Sequence, residues 1–319
     1  MNKSTFFTGQ PIFSQLLKLI PQDTVLRIAS DNKSDRYCKR FNTYEHLVTM
    51  MYAVFNNCDS LREVATGMLA MEQRLNHLGI RHYPRRSTIS DANNRRQAEV
   101  FGCLYYSLYK KYADFLSDSR MRSKDSRLYI FDATTISLFQ EVLQTSGKNP
   151  AGKRKGGIKV HTLIRSDQDV PCMIRFSAAA ANESQFLKEV QLPKGSIIVF
   201  DRAYGDYTKF NNFSKQGITW VTRRRSKAAY TVLGQISAPT PDTGIVCDSH
   251  IRLGYRGSTQ VIQCKSAETG EVYEFLTNNL RMSATTVAEL YRKRWQIETL
   301  FKRMKQNYPL KYFLGDSEN

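Results

Sequence analysis

Apolar residues change their period once along this chain of 319 residues. Up to about residue 120 they recur every three or four positions, the spacing of helices buried on one face. Ile12-Phe-Ser-Gln-Leu-Leu-Lys-Leu-Ile20 reads as a short apolar helix stopped by Pro21, and Tyr44 to Phe55 as a second, rich in Met and Val. Ser60-Leu-Arg-Glu63 has the form of a capping box and opens a helix to about Leu75. Ser87 then begins a long helix to about Tyr112, polar on its first turns. A hydrophilic linker over 117–126 closes this part, so residues 1–120 are expected to form an all-helical domain.

From residue 127 the pattern becomes that of strands. Runs at 127–132, about 158–165, about 170–177, 196–201 and 218–222 have strand composition and length. Helices from Asn182 to about Val190 and from Asp206 to about Gln216 separate the last of them. Residues 223 to about 281 add short β-like runs, among them Gly244-Ile-Val-Cys247, Thr259 to Cys264 and Glu271 to Leu276. Ser283 caps a final helix and Pro309 ends it. The expectation is an α/β domain over 127–319, with a mixed sheet and a β-rich insertion at about 223–281.

Charge gives this layout a direction. Forty-seven Lys and Arg against 29 Asp and Glu leave a net charge of +18, spread over both halves. Such an excess attracts polyanions, nucleic acid first among them. A helix, a turn and a second helix offering Ser87, Asn93, Asn94, Arg95 and Arg96 then has the form of a helix-turn-helix reader, Asn suiting adenine and Arg guanine. Many helical bundles hold such a pair, and the basic flank Arg81-His-Tyr-Pro-Arg-Arg86 adds to the DNA reading. A second basic cluster, Arg223-Arg-Arg-Ser-Lys227, is a DNA contact or a solvated loop. The six cysteines form no C-x-x-C pair and no zinc spacing with the five histidines, so they read as reduced thiols of a cytosolic protein. No leader pattern and no membrane-length apolar run is present, and the expected location is the cytoplasm, at the nucleoid.

The last helix carries the chemistry. On a wheel of about 100° per residue, Tyr291, Arg294, Glu298 and Lys305 fall within an arc of about 60°. Ile297, Leu300, Phe301 and Met304 form an apolar stripe on the other side. One carboxylate thus projects among cations and an aromatic, although i,i+4 ion pairs on a solvated helix would give the same pattern. Tyr-x2-Arg-x3-Glu-x6-Lys also resembles, position for position, the YREK signature of DDE transposases of the insertion-sequence-four group. Arg127-Leu-Tyr-Ile-Phe-Asp132-Ala-Thr134 is similar to that family's first-strand motif, and Ser196-Ile-Ile-Val-Phe-Asp201-Arg-Ala-Tyr204 to its second. The three motifs stand in the family's order.

The resemblance implies a ribonuclease H-like core of β-β-β-α-β-α-β order and a catalytic triad of Asp132, Asp201 and Glu298. It implies phosphate contacts from Arg294 and Lys305, a hydrogen bond from Tyr291, and second-shell or DNA contacts from Arg202 and Tyr204. Lys153, Arg154, Lys155 and Lys159 resemble a basic loop and strand lying close to DNA. Double-stranded DNA with terminal inverted repeats, a target DNA and a homodimer in the DNA complex are the implied partners. Thr134 stands near the first acid, Trp295 at the site or in the core, and Tyr273 is the nearest candidate for a base-stacking aromatic in the insertion. Family members continue beyond this helix, so a chain ending at Asn319 is expected to leave part of the apolar stripe uncovered.

Residue chemistry fits that picture. Asp132 and Asp201 each follow an apolar strand, where a sheet edge can fix both carboxylates, and Glu298 would join from a helix packed there. Three acids with no basic partner call for a cation, and hard oxygen ligands favour Mg²⁺ or Mn²⁺. Two such ions roughly 3.5–4 Å apart can drive an in-line phosphoryl displacement. Gly147-Lys-Asn-Pro-Ala-Gly152-Lys153 begins like a nucleotide-binding loop, but Arg154 stands where Ser or Thr should ligate Mg²⁺ and a strand follows. The expected function is DNA cleavage at element ends with strand transfer. A metal-dependent nuclease without strand transfer, or a DNA-binding remnant without activity, are the alternatives.

Overall fold

The computed structural model describes residues 12–116, 127–137, 157–178, 181, 184–225, 228–237, 244–253, 256–265 and 270–308. These fall into a helical unit, residues 12–112 with 304–308, and a sheet unit, residues 113–303. The sequence places the domain boundary near 120 and assigns the whole last helix to the second domain; the final turn from Met304 instead groups with the helical unit.

The helical unit contains α1 (Ile12–Lys18), α2 (Gln22–Asp31), α3 (Thr43–Phe55), α4 (Leu61–Ala70), a 3-10 segment (Glu72–Leu78), α5 (Arg86–Arg95) and most of α6 (Glu99–Leu116). Helix α2 is not evident from the sequence. Pro21 does stop α1, but its extended backbone also makes it the N-cap of α2, which buries Val25, Ile28 and Ala29. Asn42 and Glu45 form a complete capping box on α3. At α4 Ser60 accepts the Glu63 N–H as expected, while the Glu63 carboxylate accepts the N–H of Asp59 instead of returning to Ser60. Val48, Val64, Met68, Leu75, Ile80 and Ile89 are wholly or almost wholly buried at the centre.

The single long helix expected from Ser87 is two helices. Arg96 leaves helical geometry at φ −85°, ψ 131°. Its buried guanidinium reaches back to Asp35 Oδ1 at 3.1 Å and Thr43 Oγ1 at 3.2 Å, and it also donates to the Phe41 carbonyl. Tertiary hydrogen bonds thus override the local helical preference.

The sheet unit is built on one nine-stranded mixed sheet of order β3-β2-β1-β4-β5-β9-β8-β7-β6. Its strands are β1 (Leu128–Ser137), β2 (Gly157–Arg165), β3 (Pro171–Ala178), β4 (Ile197–Phe200), β5 (Thr219–Arg223), β6 (Tyr230–Ser237), β7 (Ile245–Leu253), β8 (Arg256–Lys265) and β9 (Val272–Thr277). The first three run antiparallel, and β1, β4 and β5 run parallel. With α7 (Ser184–Leu187) before β4 and α8 (Tyr207–Lys215) before β5, this is the ribonuclease H-like order expected of the chain. The insertion is no separate layer. Its strands β6–β9 extend the same sheet, with β9 hydrogen-bonded antiparallel to β5.

Alternation along the strands assigns the two faces. Phe131, Ile198 and Phe200 pack with Phe210 and Phe213 of α8. Leu128, Val199 and Val221 point the other way, under Val287 and Tyr291 of α9 (Ala284–Lys293). Ile130 and Ile164 share that second face with Ile297 and Phe301 of α10 (Trp295–Asn307). Of the stripe expected to lie partly open, Ile297 and Phe301 are buried, while Leu300, packed against the same cluster, and Met304 are half-buried.

Candidate active site

Register decides where the acids go. Phe131 and Phe200 are the last partners of the parallel β1–β4 pairing, and each is followed by an aspartate. Asp132 has the parity of Leu128 and Ile130, and Asp201 that of Val199, so both carboxylates leave the sheet on the α9–α10 face. Asp201 stands at a strand end as expected. Asp132 does not: β1 continues to Ser137, and Asp132 pairs with Thr162 of β2 in mid-strand. Only the β4 side of β1 gives out there, which opens the space beside Asp132.

The last helix is broken where it meets these acids. Arg294 joins α9 to α10, and the bonds Arg294 N–H to Tyr291 O and Ile297 N–H to Arg294 O are tightened, three-residue steps. A uniform wheel across 291–305 therefore does not apply, yet the side chains still converge. Arg294 Nη1 lies 2.9 Å from Asp132 Oδ2 and 2.7 Å from Glu298 Oε1. The Tyr291 hydroxyl donates to Asp201 Oδ1 at 3.3 Å, and the Arg294 guanidinium sits 5.5 Å from the centre of the Tyr291 ring. Arg294 is thus the basic partner that the sequence places beside the triad but not within it. Lys305 lies seven residues past Glu298, about 10 Å farther along the axis.

Burial governs the electrostatics. It pushes the Asp132 carboxyl up to about 6; the Ala133 N–H and Arg294 pull it down, and Asp201 and Glu298 push it further up. Burial also raises the Tyr291 hydroxyl to about 12, so it stays a protonated donor. Burial disfavours charge on Arg294, but Tyr291, Asp132 and Glu298 together hold it above its ordinary value.

Other sequence-predicted residues divide. Arg202 is exposed beside Asp201. Tyr204 is a core residue instead of a DNA contact: its ring is buried 4.9 Å from that of Phe131. In the helical unit Ser87, Asn94 and Arg95 are exposed on α5, whereas Asn93 bonds the buried His46 ring at 2.7 Å. Arg96 departs most from expectation, because its side chain is fully enclosed and ion-paired with Asp35. Lys159 sits in β2 opposite Thr135, while Lys153, Arg154 and Lys155 lie outside the described residues. Thr134 is half-buried in β1. Trp295 is 63% exposed, which removes the core reading.

In the basic cluster at the end of β5, Arg223, Arg224 and Arg225 each have a partner, and Ser226 and Lys227 lie outside the described residues. The Arg223 guanidinium lies 4.3 Å from the centre of the Tyr273 ring, and Arg224 is ion-paired with Glu274. Arg225 donates to the carbonyls of Arg202 and Ala203, in the turn that follows Asp201. Sequence reasoning missed that last role. The signal available was a run of arginines at the exit of the strand next after the one that ends in the Asp-Arg-Ala-Tyr-Gly turn.

These are hard oxygen donors grouped on one half-buried face of the sheet, where burial holds the Asp132 carboxyl above its ordinary value. The donor set therefore fits a divalent cation. Among the described residues no three acids are drawn tightly enough to hold an ion as they stand, because Arg294 lies between two of them. No helix of the described residues is long and apolar enough to cross a membrane.

A mixed sheet of this order, with helices on both faces, defines an α/β protein of the ribonuclease H-like class. The family model described as Transposase DDE domain matches residues 123–311, and the chain belongs to that family. A second model, Domain of unknown function (DUF4372), matches residues 8–81. A protein of Sinorhizobium fredii named as transposase y4zB is 27% identical over 245 residues, 74% of this chain and 66% of its own length. A Synechocystis protein named as transposase for insertion sequence element IS4SA is 24% identical over 271 residues, 81% of this chain and 72% of its own length. Among solved structures, a piggyBac transposase synaptic complex with hairpin DNA aligns over 91% of this chain and 67% of its own, with 11% identity and a TM-score of 0.47.

Proposed function

We propose that this chain is a transposase of the insertion-sequence-four type that cuts DNA at element ends and joins the ends to a target. Asp132, Asp201 and Glu298 would hold two Mg²⁺ or Mn²⁺ ions. When bound, these supply Lewis acidity that activates a water or 3′-hydroxyl and offsets charge on the leaving oxygen. Everything else falls to the chain. Arg294, given up by the carboxylates, meets a phosphate beside the cut; the protonated Tyr291 hydroxyl donates to Asp201 or to the same phosphate; Lys305 continues the contact along the duplex. Arg202 lies on the open side of the Asp201 turn, in reach of the same backbone. Ser87, Asn94 and Arg95 are the exposed groups of α5 that would read the terminal repeat. Two copies on paired ends, acting in the cytoplasm, complete the reading.

One observation carries it. Residues far apart in sequence, Asp132, Asp201, Tyr291, Arg294 and Glu298, meet through three direct contacts on one face of the sheet. The test is cleavage of duplex DNA carrying the element's ends in Mg²⁺. Asp132→Ala, Asp201→Ala and Glu298→Ala should each abolish cleavage and leave DNA binding intact or stronger, since negative charge is removed beside phosphates. Comparable cleavage by any of the three overturns the site. Strand-transfer products from pre-cleaved ends separate transposition from hydrolysis alone.

A further inference from the structure

We propose that Arg225 is a positioning residue for Asp201, and that Gly205 is glycine so that the Arg225 guanidinium can enter the turn. The proposal rests on the catalytic reading of Asp201 given above.

Asp201 ends its strand as the cap of a short 3-10 turn, Arg202–Tyr204, with Oδ2 accepting the Ala203 N–H at 3.4 Å. That N–H belongs to the peptide whose carbonyl is Arg202 O. Arg225 Nε donates to that same carbonyl at 2.8 Å, and Nη2 donates to the next one, Ala203 O. A peptide is planar, so fixing the direction of its carbonyl fixes the direction of its N–H. Donation to the carbonyl also polarises the unit and strengthens the N–H as a donor. Arg225 thus aims the hydrogen bond that orients the Asp201 carboxylate. Tyr204, buried on Phe131, anchors the turn as well.

Gly205 supplies the second observation. A Cβ there would lie 2.9 Å from Arg225 Nε and 3.0 Å from Cζ. Its φ of −62° is open to any residue, so a side chain there would act by displacing the guanidinium. Arg225 itself leaves the sheet two residues past β5, the parallel neighbour of β4. The exit of one strand therefore braces the catalytic turn of the next.

The experiment is a double-mutant cycle on the full chain between Arg225→Ala and Gly205→Ala, read in cleavage rate at saturating DNA and in Mn²⁺ affinity without DNA. Each single variant should slow cleavage by about 10- to 100-fold and weaken Mn²⁺ binding, with unfolding midpoints close to the parent. The double variant should be no worse than Arg225→Ala, because Gly205→Ala acts only by expelling the guanidinium. Millimolar guanidinium ion should partly rescue Arg225→Ala and leave Gly205→Ala unaffected. Additive effects, or a neutral Gly205→Ala, overturn the proposal. So does a drop of about one unit in the salt slope of DNA binding for Arg225→Ala alone, which would make Arg225 a phosphate contact. Asp201→Ala is the control: if it still cleaves and still binds Mn²⁺, the catalytic reading fails; if it is dead while Arg225→Ala is not, only the positioning role fails.

Discussion

Each unit of this protein is organised around a buried arginine, and the two are used in opposite ways. In the helical unit Arg96 faces one carboxylate, Asp35, with a hydroxyl and a carbonyl as its other acceptors. Asp35 in turn accepts the Thr43 N–H at 3.1 Å and the Thr43 hydroxyl at 2.9 Å. One charge meets one charge, with neutral acceptors, the Cys38 sulfur among them, beside it. In the sheet unit Arg294 faces Asp132 and Glu298 directly, with Asp201 held beside them by Tyr291. One cation stands against three acids, and burial, with a smaller push from Asp201 and Glu298, holds the Asp132 carboxyl up at about 6. The first cluster is balanced in charge. The second carries excess negative charge on a rigid frame, the condition a divalent cation relieves. Buried ion pairs alone are weak indicators of function; the imbalance distinguishes these two.

The comparison breaks most readily at Arg96. Arg96→Ala should cost the helical unit about 3–5 kcal/mol, because it leaves Asp35 partly buried without its counter-ion. Urea unfolding followed in the helical unit, with hydrogen exchange over 35–43 and 93–104, reads the loss. A cost under about 1 kcal/mol would make Arg96 no more than a surface pair.

A second difference is the response to acid. His46 is buried between the rings of Phe41 and Phe101, and burial lowers it from 6.5 to about 4. The unfolded chain therefore binds a proton in that window that the folded chain refuses. Stability contributed by neutral His46 is present above about pH 6.5 and is lost as pH falls towards 4, by ~3 kcal/mol in all. Asp132 in the metal-free protein has the opposite sign. Its folded value lies above 3.8, so the folded state holds the proton more tightly and the sheet unit loses stability as pH rises from about 4 to about 6. Unfolding measured in chelator across this range should show the two units moving in opposite directions; parallel slopes would contradict the pairing.

The smallest effect should come from Arg294→Gln. Removing the cation removes the interaction that pulls Asp132 down, so its carboxyl should titrate still higher than about 6. Metal-free stability should change little, because Asp132 takes up a proton in place of its partner. Carboxyl ¹³C resonances followed against pH read this directly, and an unchanged or lower Asp132 value would mean that Arg294 is not its counter-ion.

Much of the fold was legible in the chain itself. Strand runs such as Ile197–Phe200, caps such as Ser60 and Ser283, and the order of β1 to β5 follow from local pattern, because period and capping act within a few residues. The three acids stood out only through the likeness of their ordered motifs to one family, since each Asp taken singly reads more readily as a cap or turn. Less visible were α2, which is short and opens on the proline that closes α1, and the break between α5 and α6, where Arg96 bonds groups more than 50 residues away.

Pattern and charge alone therefore determined that a helical segment precedes an α/β core and that a large cationic excess lies along the chain with Asp132, Asp201 and Glu298. Tertiary structure decided which cations serve those acids. Arg96 and Arg294 are both arginines in polar helical stretches, and Arg223, Arg224 and Arg225 are neighbours in one run. Local sequence cannot rank them, because the energy of a buried guanidinium is set by acceptors brought from elsewhere in the chain. Packing enclosed Arg96 on Asp35, set Arg294 between Asp132 and Glu298, and turned Arg225 onto the carbonyls behind Asp201.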